Sequence, residues 1–245
     1  MFDQTPIICL NSLRVRSVQQ LIFNACIPYS ALLFNGACIK AYSLLVECYT
    51  DDVCESALSL LSVSEQLRFK SYRDSLGAIN FLLGRILIRY ALAKIGRTSP
   101  SLVTIAQDTP FSKPTSPLAS FNISHSQGVI VGAFSADIDC GIDVENSSRT
   151  FSWSDVVDYS FPPDLRDHLY SAPAARRQAL FYQAWTYLEA GAKLYGQGLS
   201  ALSETRTMIL RYGLDLGDPR FVGHLAVPMD PAVSRNHEIG RSWMP

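Results

Sequence analysis

No two of the six cysteines stand in a C-x-x-C pair, and the four histidines (His125, His168, His224, His237) do not cluster with them, which argues against a zinc site. Cys9, Cys26, Cys38, Cys48 and Cys54 crowd into the first 54 residues, leaving only Cys140 beyond. A disulfide framework would suit a small secreted domain; in a chain of this size reduced, mostly buried thiols of a cytoplasmic protein are expected. No long basic run appears and the net charge is −1, so there is no footprint for general nucleic-acid or anionic-membrane binding. In residues 1–36 the apolar patches Leu21-Ile22-Phe23 and Ala31-Leu32-Leu33-Phe34 are too short for a signal core or a membrane span. A glycine-rich phosphate loop of the P-loop kind is also missing. No fixed-period repeat recurs.

What remains is an ordinary globular composition. The 245 residues are 48% hydrophobic and 18% charged, enough to bury one large core or two small ones. Residues 38–48 read as a first strand. From Ser64 to about Ile95 apolar residues (Leu67, Tyr72, Ile79, Leu82, Leu83, Ile86, Tyr90) recur at helical spacing, with Ser62 and Glu65 as capping residues at the start. A Pro/Ser/Thr-rich stretch, 97–120, reads as loop around a short strand, Leu102–Ile105. Phe121–Ser124 and Val129–Phe134 form an expected hairpin, with His125 at its turn. Short helical pieces broken at Pro162-Pro163 lead into one helix over 181–199, and a strand pair, Thr205–Arg211 and Phe221–Val227, precedes a breaker-rich tail from Pro228. These periodicities alone give the fold class α+β.

Two stretches carry chemistry. In Gly141-Ile142-Asp143-Val144-Glu145 the alternation of a strand puts both acids on one face and both aliphatic side chains on the other. Adjacent acids facing one way repel, which an exposed sheet face tolerates and a hard cation with oxygen ligands exploits. In the 181–199 helix Glu189 and Lys193 sit at i and i+4, one above the other, with Trp185 as a core anchor and Gly196 and Gly198 where the helix should stop. Glu189 is the candidate third carboxylate for a Mg²⁺ site with Asp143 and Glu145. His125, between Ser124 and Ser126, offers a compact set of phosphate donors.

The order of these pieces resembles the 4′-phosphopantetheinyl transferases of the surfactin-synthetase-activating type. There a motif like FNISHS…GIDVE precedes W-[ST]-x-K-E-x-x-x-K-x-x-G-x-G-L, and this chain has Phe121–Ser126, Gly141–Glu145, then Trp185-Thr186, Glu189, Lys193, Gly196, Gly198 and Leu199. The resemblance continues upstream through Leu61-Ser62, Glu65, Arg68, Leu83-Gly84-Arg85, Arg89 and Ser112-Lys113-Pro114, covering roughly residues 40 to 200. Two positions depart from it. Leu188 stands where the family usually has the lysine before the helix glutamate, and Ser112 where it usually has glycine.

The resemblance implies two related βα lobes packed about a pseudo-two-fold axis, residues 37–138 and 139–245, with residues 1–36 as an extension outside it and the site in the cleft between lobes. It implies transfer of the 4′-phosphopantetheine group of coenzyme A to a serine of an acyl- or peptidyl-carrier protein, Mg²⁺-dependent, releasing adenosine 3′,5′-bisphosphate. Asp143, Glu145 and Glu189 would hold the metal; Lys113, Ser124, His125 and Lys193 the phosphates; Arg68 the adenosine 3′-phosphate; Glu189 and Lys193 would be catalytic. A monomer without nucleic-acid or membrane partners is implied as well. Leu188 raises an alternative, a catalytically weakened or silent member that binds coenzyme A or a carrier protein. A second alternative uses the same three acids on Mg²⁺ to hydrolyse a nucleotide phosphate.

Overall fold

In the computed structural model the described residues are 5–15, 29–46, 55–107, 113–150, 152–196 and 209–229. Ser112, Gly198, Leu199, the first part of the 205–211 strand and the tail from residue 230 lie outside them.

Strand β4 (Ala37–Val46) sets the layering, because its alternating side chains are apolar on both faces. Ile39, Ala41 and Leu45 point to one core and Tyr42, Leu44 and Val46 to another. The second core lies against helix α3 (Ser75–Gly96), and β5 (Ser120–Ser126) and β6 (Val129–Ser135) complete the sheet in the order β4-β6-β5. Helix α3 is long and apolar enough to cross a membrane, yet 78% of its apolar window is buried inside the fold, as befits a core helix. Helix α1 (Glu55–Leu58) and α2 (Val63–Ser71) lead into it. The Ser62–Glu65 capping box forms as the sequence predicts, and the helical stretch breaks in two around Tyr72–Asp74, where Asp74 caps α3 through the Gly77 amide.

The second half repeats this plan. Strand β7 (Gly141–Asn146) is followed by α4 (Ser154–Ser160), α5 (Pro163–Ser171) and α6 (Ala174–Tyr195), then β8 (Ile209–Asp215) and β9 (Phe221–Pro228), in the sheet order β7-β9-β8. Each lobe is thus strand, helices ending in a 22-residue helix, then two strands with the last one central. The two sheets pack face to face through Ile39, Val129, Val131, Ile142, Val144 and Leu225, while α3 and α6 cover the outer faces.

Two seams join the lobes. At one, β5 runs beside β7. At the other, the N-terminal residues cross over: β1 (Ile7–Cys9) pairs in parallel with β8 and β2 (Leu13–Val15) in parallel with β4, and β3 (Ser30–Phe34) forms an antiparallel hairpin with β4. Between β1 and β2, the Ser12 hydroxyl donates to the Leu216 carbonyl at 2.9 Å and lies 3.1 Å from Ser43 Oγ. These residues therefore supply edge strands to both sheets.

Several local expectations shift. Leu102–Ile105 is not a strand: Pro100 opens a 3-10 turn, Pro100–Leu102, and the Val103 carbonyl is taken by Arg89 Nη1 at 2.7 Å. Strand β5 continues through His125, which pairs with Ile130, so the turn is Gln127-Gly128, with Gly128 at φ 90°. Strand β8 runs beyond the expected end at Arg211 to Asp215, because Gly213 stays in the ladder and donates its amide to the Pro6 carbonyl at 2.8 Å.

Among the described glycines, the one with the least room is Gly141, where β7 packs on α6. A Cβ at Gly141 would stand 2.1 Å from the Ala190 carbonyl oxygen and 2.5 Å from the Leu194 nitrogen, both backbone atoms. Gly141→Ala is therefore expected to force α6 outward and lower the Tm by about 5–10 °C, the scale of an overpacked core in a domain of this size. Thermal unfolding checks this; an unchanged Tm would mean that the contact relaxes freely.

Candidate active site

The β5–β7 seam is built from polar side chains on alternate positions. Both strands are sheet edges there, so the outward amides of β7 need partners. Asn122 Oδ1 accepts from the Ile142 amide at 3.1 Å and Ser126 Oγ from the Asn146 amide at 3.1 Å. The Ser126 hydroxyl donates in turn to Glu145 Oε2 at 2.8 Å. Between them, Ser124 donates to Asp143 Oδ1 at 2.8 Å. Asn122 and Ser126 were not singled out as site residues from the sequence, although the polar alternation of Asn122, Ser124 and Ser126 was its visible signal.

Asp143 and Glu145 point away from the inter-sheet core, toward α6, with Ile142 and Val144 on the other face as their spacing predicts. The close approach at Gly141 brings the third turn of chemistry onto them. Lys193 Nζ lies 2.6 Å from Asp143 Oδ1 and donates to Ser124 Oγ at 3.0 Å. Asp143 is 3% exposed, and its Oδ2 is buried without a hydrogen-bond partner among the described residues. Such an orphaned carboxylate oxygen is costly in a protein interior.

Glu189 joins the same field. Burial raises its pKa above the ordinary glutamate value, Lys193 pulls it back, and Asp143 and Glu145 raise it further. Burial also raises Glu145, with Ser126, Arg149 and Lys193 opposing and Asp143 adding. His125 presents an exposed edge at the end of β5, but the protein packed around its ring, and then Lys193, hold its pKa below the usual value while Asp143 pulls it up. Three carboxylates thus lie in the field of the Lys193 ammonium, with the Arg149 guanidinium acting on Glu145 as well.

Among the described residues no three His, Cys, Asp or Glu side chains are drawn together tightly enough to hold a metal ion. Lys193 lies on the Asp143 oxygen that such an ion would need. The donor set nevertheless fits a hard divalent cation: all-oxygen ligands, a buried orphan Oδ2 on Asp143, and two glutamates whose ionised forms are disfavoured by burial.

The other candidate residues have partners of their own. Lys113, half-buried ahead of Pro114, lies within electrostatic reach of Cys140, whose thiol burial pushes up to about 12. Arg68 is in the N-terminal lobe. Its Nη1 donates to Gln107 Oε1 at 3.0 Å, Arg85 Nη2 converges on that same oxygen, and both guanidiniums lie over the Phe81 ring. Behind them Glu65 Oε2 binds Arg89 Nη2 at 2.6 Å and the Ser62 amide at 2.8 Å, while Arg85 Nη1 is buried without a hydrogen-bond partner.

Leu188 is not in the cleft. It is 1% exposed and packs with Val157, Phe161, Leu165 and Phe181 under α4 and α5. One residue along a helix turns the side chain by about 100°, so Glu189 lies in the electrostatic field of Asp143 and Glu145 while Leu188 is held in the core. Trp185 stacks on Phe161 and Phe181 from the same helix, and Gly196 ends it in the left-handed conformation. Residues that sequence reasoning did not find include His224 and Arg211, buried on β9 and β8 beneath α6. Burial, and then Arg211, bring the His224 pKa down to about 4, so its ring is neutral near pH 7.

A two-lobed α+β protein with strand acids facing a helix Glu-Lys pair across a seam is the class defined so far. The model of the 4′-phosphopantetheinyl transferase superfamily matches residues 139–211, the stretch that contains Asp143, Glu145, Glu189 and Lys193. Among similar proteins are the 4′-phosphopantetheinyl transferases psf-1 of Bacillus pumilus, 30% identical over 149 residues (60% of this chain, 62% of the relative), and ffp of Bacillus subtilis, 26% identical over 146 residues (58% and 63%). HetI of Nostoc, named likewise, is 33% identical over 84 residues, 34% of this chain and 35% of the relative. The chain therefore spans less than two thirds of the length of these relatives. Its similarity is thus to the 4′-phosphopantetheinyl transferase superfamily, carried most directly by residues 139–211.

Two outcomes follow from this geometry. A lysine at position 188 would enter an apolar core, where full burial depresses a lysine by about 3–5 pKa units, on the order of 4–7 kcal/mol. Leu188→Lys should therefore unfold at a lower denaturant midpoint than the parent chain. The second concerns pH: the native state holds protons on Glu145 and Glu189 longer than the unfolded chain does. In chelator, stability should fall as pH rises from the ordinary value of 4.5 through the raised values, then level off. Glu189→Gln should reduce that fall and raise the Tm near pH 7; a lower Tm would show that Lys193 outweighs burial and the neighbouring acids.

Proposed function

We propose that this chain transfers the 4′-phosphopantetheine group of coenzyme A to a serine hydroxyl of an acyl- or peptidyl-carrier protein, with Mg²⁺, releasing adenosine 3′,5′-bisphosphate. The observation that carries the reading is the meeting of Asp143 and Glu145 with Glu189 and Lys193 within the stretch matched by the family model. The same reading makes the protein a cytoplasmic monomer.

Asp143, Glu145 and Glu189 would hold the metal, which when bound supplies positive charge to the pyrophosphate. Each of this chain's residues then has a task. Lys193, freed from Asp143, turns its ammonium to the phosphates and stabilises the leaving group. Ser124, His125 and Lys113 orient the pyrophosphate along the seam. Arg68 takes the adenosine 3′-phosphate; its convergence with Arg85 on one oxygen of Gln107 supports a guanidinium pair able to grip an anionic oxygen. Glu189, with its raised pKa, accepts the proton of the carrier serine. The serine oxygen bonds to the phosphorus bearing pantetheine, and the bridging P–O bond breaks, its electrons leaving on adenosine 3′,5′-bisphosphate.

The reading as a silent binding protein rested on Leu188. A leucine that belongs to the core beneath α6 leaves no gap among the acids, which favours the enzyme.

Mass spectrometry of apo carrier proteins incubated with the protein, coenzyme A and Mg²⁺ tests the proposal. A gain of one phosphopantetheine mass, lost in Glu189→Ala, is expected. Coenzyme A binding with no mass gain on fatty-acid, polyketide and peptide carriers would instead favour the silent binder, and coenzyme A cleavage without a carrier the hydrolase. Arg68→Ala should raise the KM for coenzyme A by about 10–100-fold, the scale of a lost charge-assisted hydrogen bond, and leave that for 3′-dephospho-coenzyme A unchanged.

A further inference from the structure

We propose that His224, held as its Nδ1–H tautomer by Thr186, is a positioning residue that fixes the rotation of α6 and thereby the place of Glu189. The inference rests on the function proposed above only for its kinetic consequence.

The proton assignment follows from hydrogen-bond accounting. Thr186 Oγ1 lies 2.9 Å from the Tyr182 carbonyl, one helical turn back, and 3.4 Å from that of Gln183. A carbonyl has no proton to give, so the threonine hydroxyl spends its single proton there. His224 Nδ1 lies 2.8 Å from the same Oγ1. With the hydroxyl proton already used, the proton in this second bond comes from the ring. A neutral imidazole carries one ring proton, so Nδ1 bears it and Nε2 is bare.

The tie matters because of where it falls. His224 is the residue directly opposite Asp143 in the β7–β9 ladder. Thr186 and Lys193 are seven residues apart, about two helical turns, and so share a face of α6. The helix is therefore pinned to neighbouring ladder positions at two points, Thr186 to His224 and Lys193 to Asp143. A third contact adds to the first: Arg211 Nε donates to the Tyr187 carbonyl at 3.0 Å, its guanidinium lies 4.3 Å from the Tyr187 ring, and that ring meets His224 edge-on at 5.6 Å. Gly191 leaves the room, since a Cβ there would stand 2.5 Å from Arg211 Nη2.

Of the two pins, the lysine is the temporary one. Once Lys193 turns to substrate, its bond to Asp143 is gone, while the Thr186–His224 bond lies behind the acids and persists. Side chains stand about 5–6 Å from a helix axis, so a rotation of about 20° moves a carboxylate by about 2 Å. A misplacement of about 1 Å can cost about 10²-fold in rate.

Two measurements test this. Long-range ¹H–¹⁵N spectra of histidine-labelled protein should show His224 as the Nδ1–H tautomer, retained in Thr186→Ser and lost in Thr186→Val. An Nε2–H ring in the parent chain would overturn the assignment whether or not the protein is a transferase. In the transferase assay, Thr186→Val should lose about 10²-fold in kcat with the KM for coenzyme A within about twofold, and Thr186→Ser should recover it. Calorimetric Mn²⁺ binding should follow the same order, weakened in Thr186→Val and kept in Thr186→Ser. A folded Thr186→Val with parental kcat and Mn²⁺ affinity would reduce the bond to ordinary packing and overturn the positioning role. If Thr186→Val does not fold, a Thr186→Ser chain lacking the Nδ1–H signal overturns the proposal equally.

Discussion

The structure depends on one close contact, the backbone of β7 against the backbone of α6 at Gly141. A strand and a helix rarely approach until a side chain's absence lets them. Here that absence brings the Ala190 carbonyl and the Leu194 nitrogen almost onto the glycine. Everything polar in the cleft follows from it. On the outer face of β7 Asp143 takes Lys193 of α6 at 2.6 Å, and Asp143 and Glu145 act electrostatically on Glu189 of the same helix. Burial is the first cause of the raised pKa of both Glu145 and Glu189, and the neighbouring acids add to it.

The two lobes share a topology but not a chemistry. Each places a 22-residue helix over an antiparallel sheet with the last strand central. On β4, at the positions corresponding to the β7 acids, the helix-facing residues are Tyr42 and Leu44, both buried in the core beneath α3. The corresponding seam is closed by β1 and β2. One seam is thus finished as structure, with backbone ladders and a serine between them. The other is left to side chains, and its edge amides are satisfied by Asn122 and Ser126. That difference leaves the second seam lined with polar side chains.

Stability and function pull against each other there. The outer core offers ordinary returns: aromatic stacking of Trp185, Phe161 and Phe181, and apolar burial around Leu188. The acid cluster is the opposite case, with an orphaned Asp143 oxygen and two glutamates burdened by desolvation. The surrounding core offsets that cost, and in the proposed function a cation would relieve it.

Much of this was legible in the residues alone, where the signal was local. Period-two alternation placed Asp143 and Glu145 on one face, the i, i+4 spacing paired Glu189 with Lys193, and Gly196 marked the helix end. The Ser62–Glu65 capping box and the Pro162-Pro163 break were equally plain. Local patterns determine local geometry, since each rests on the fixed repeat of a helix or strand. What only the tertiary structure decided was every relation between distant segments. Leu188 reads as a missing charge in a motif, but the azimuth of α6 makes it a core residue. His125 reads as a turn residue, yet pairing with Ile130 extends the strand through it. The partnership of Thr186 with His224, 38 residues apart, has no trace in spacing, because it depends on which ladder position of β9 passes beneath which turn of α6. The sequence determined which groups face the same way along one element; the packing of sheet on helix decided which of them meet.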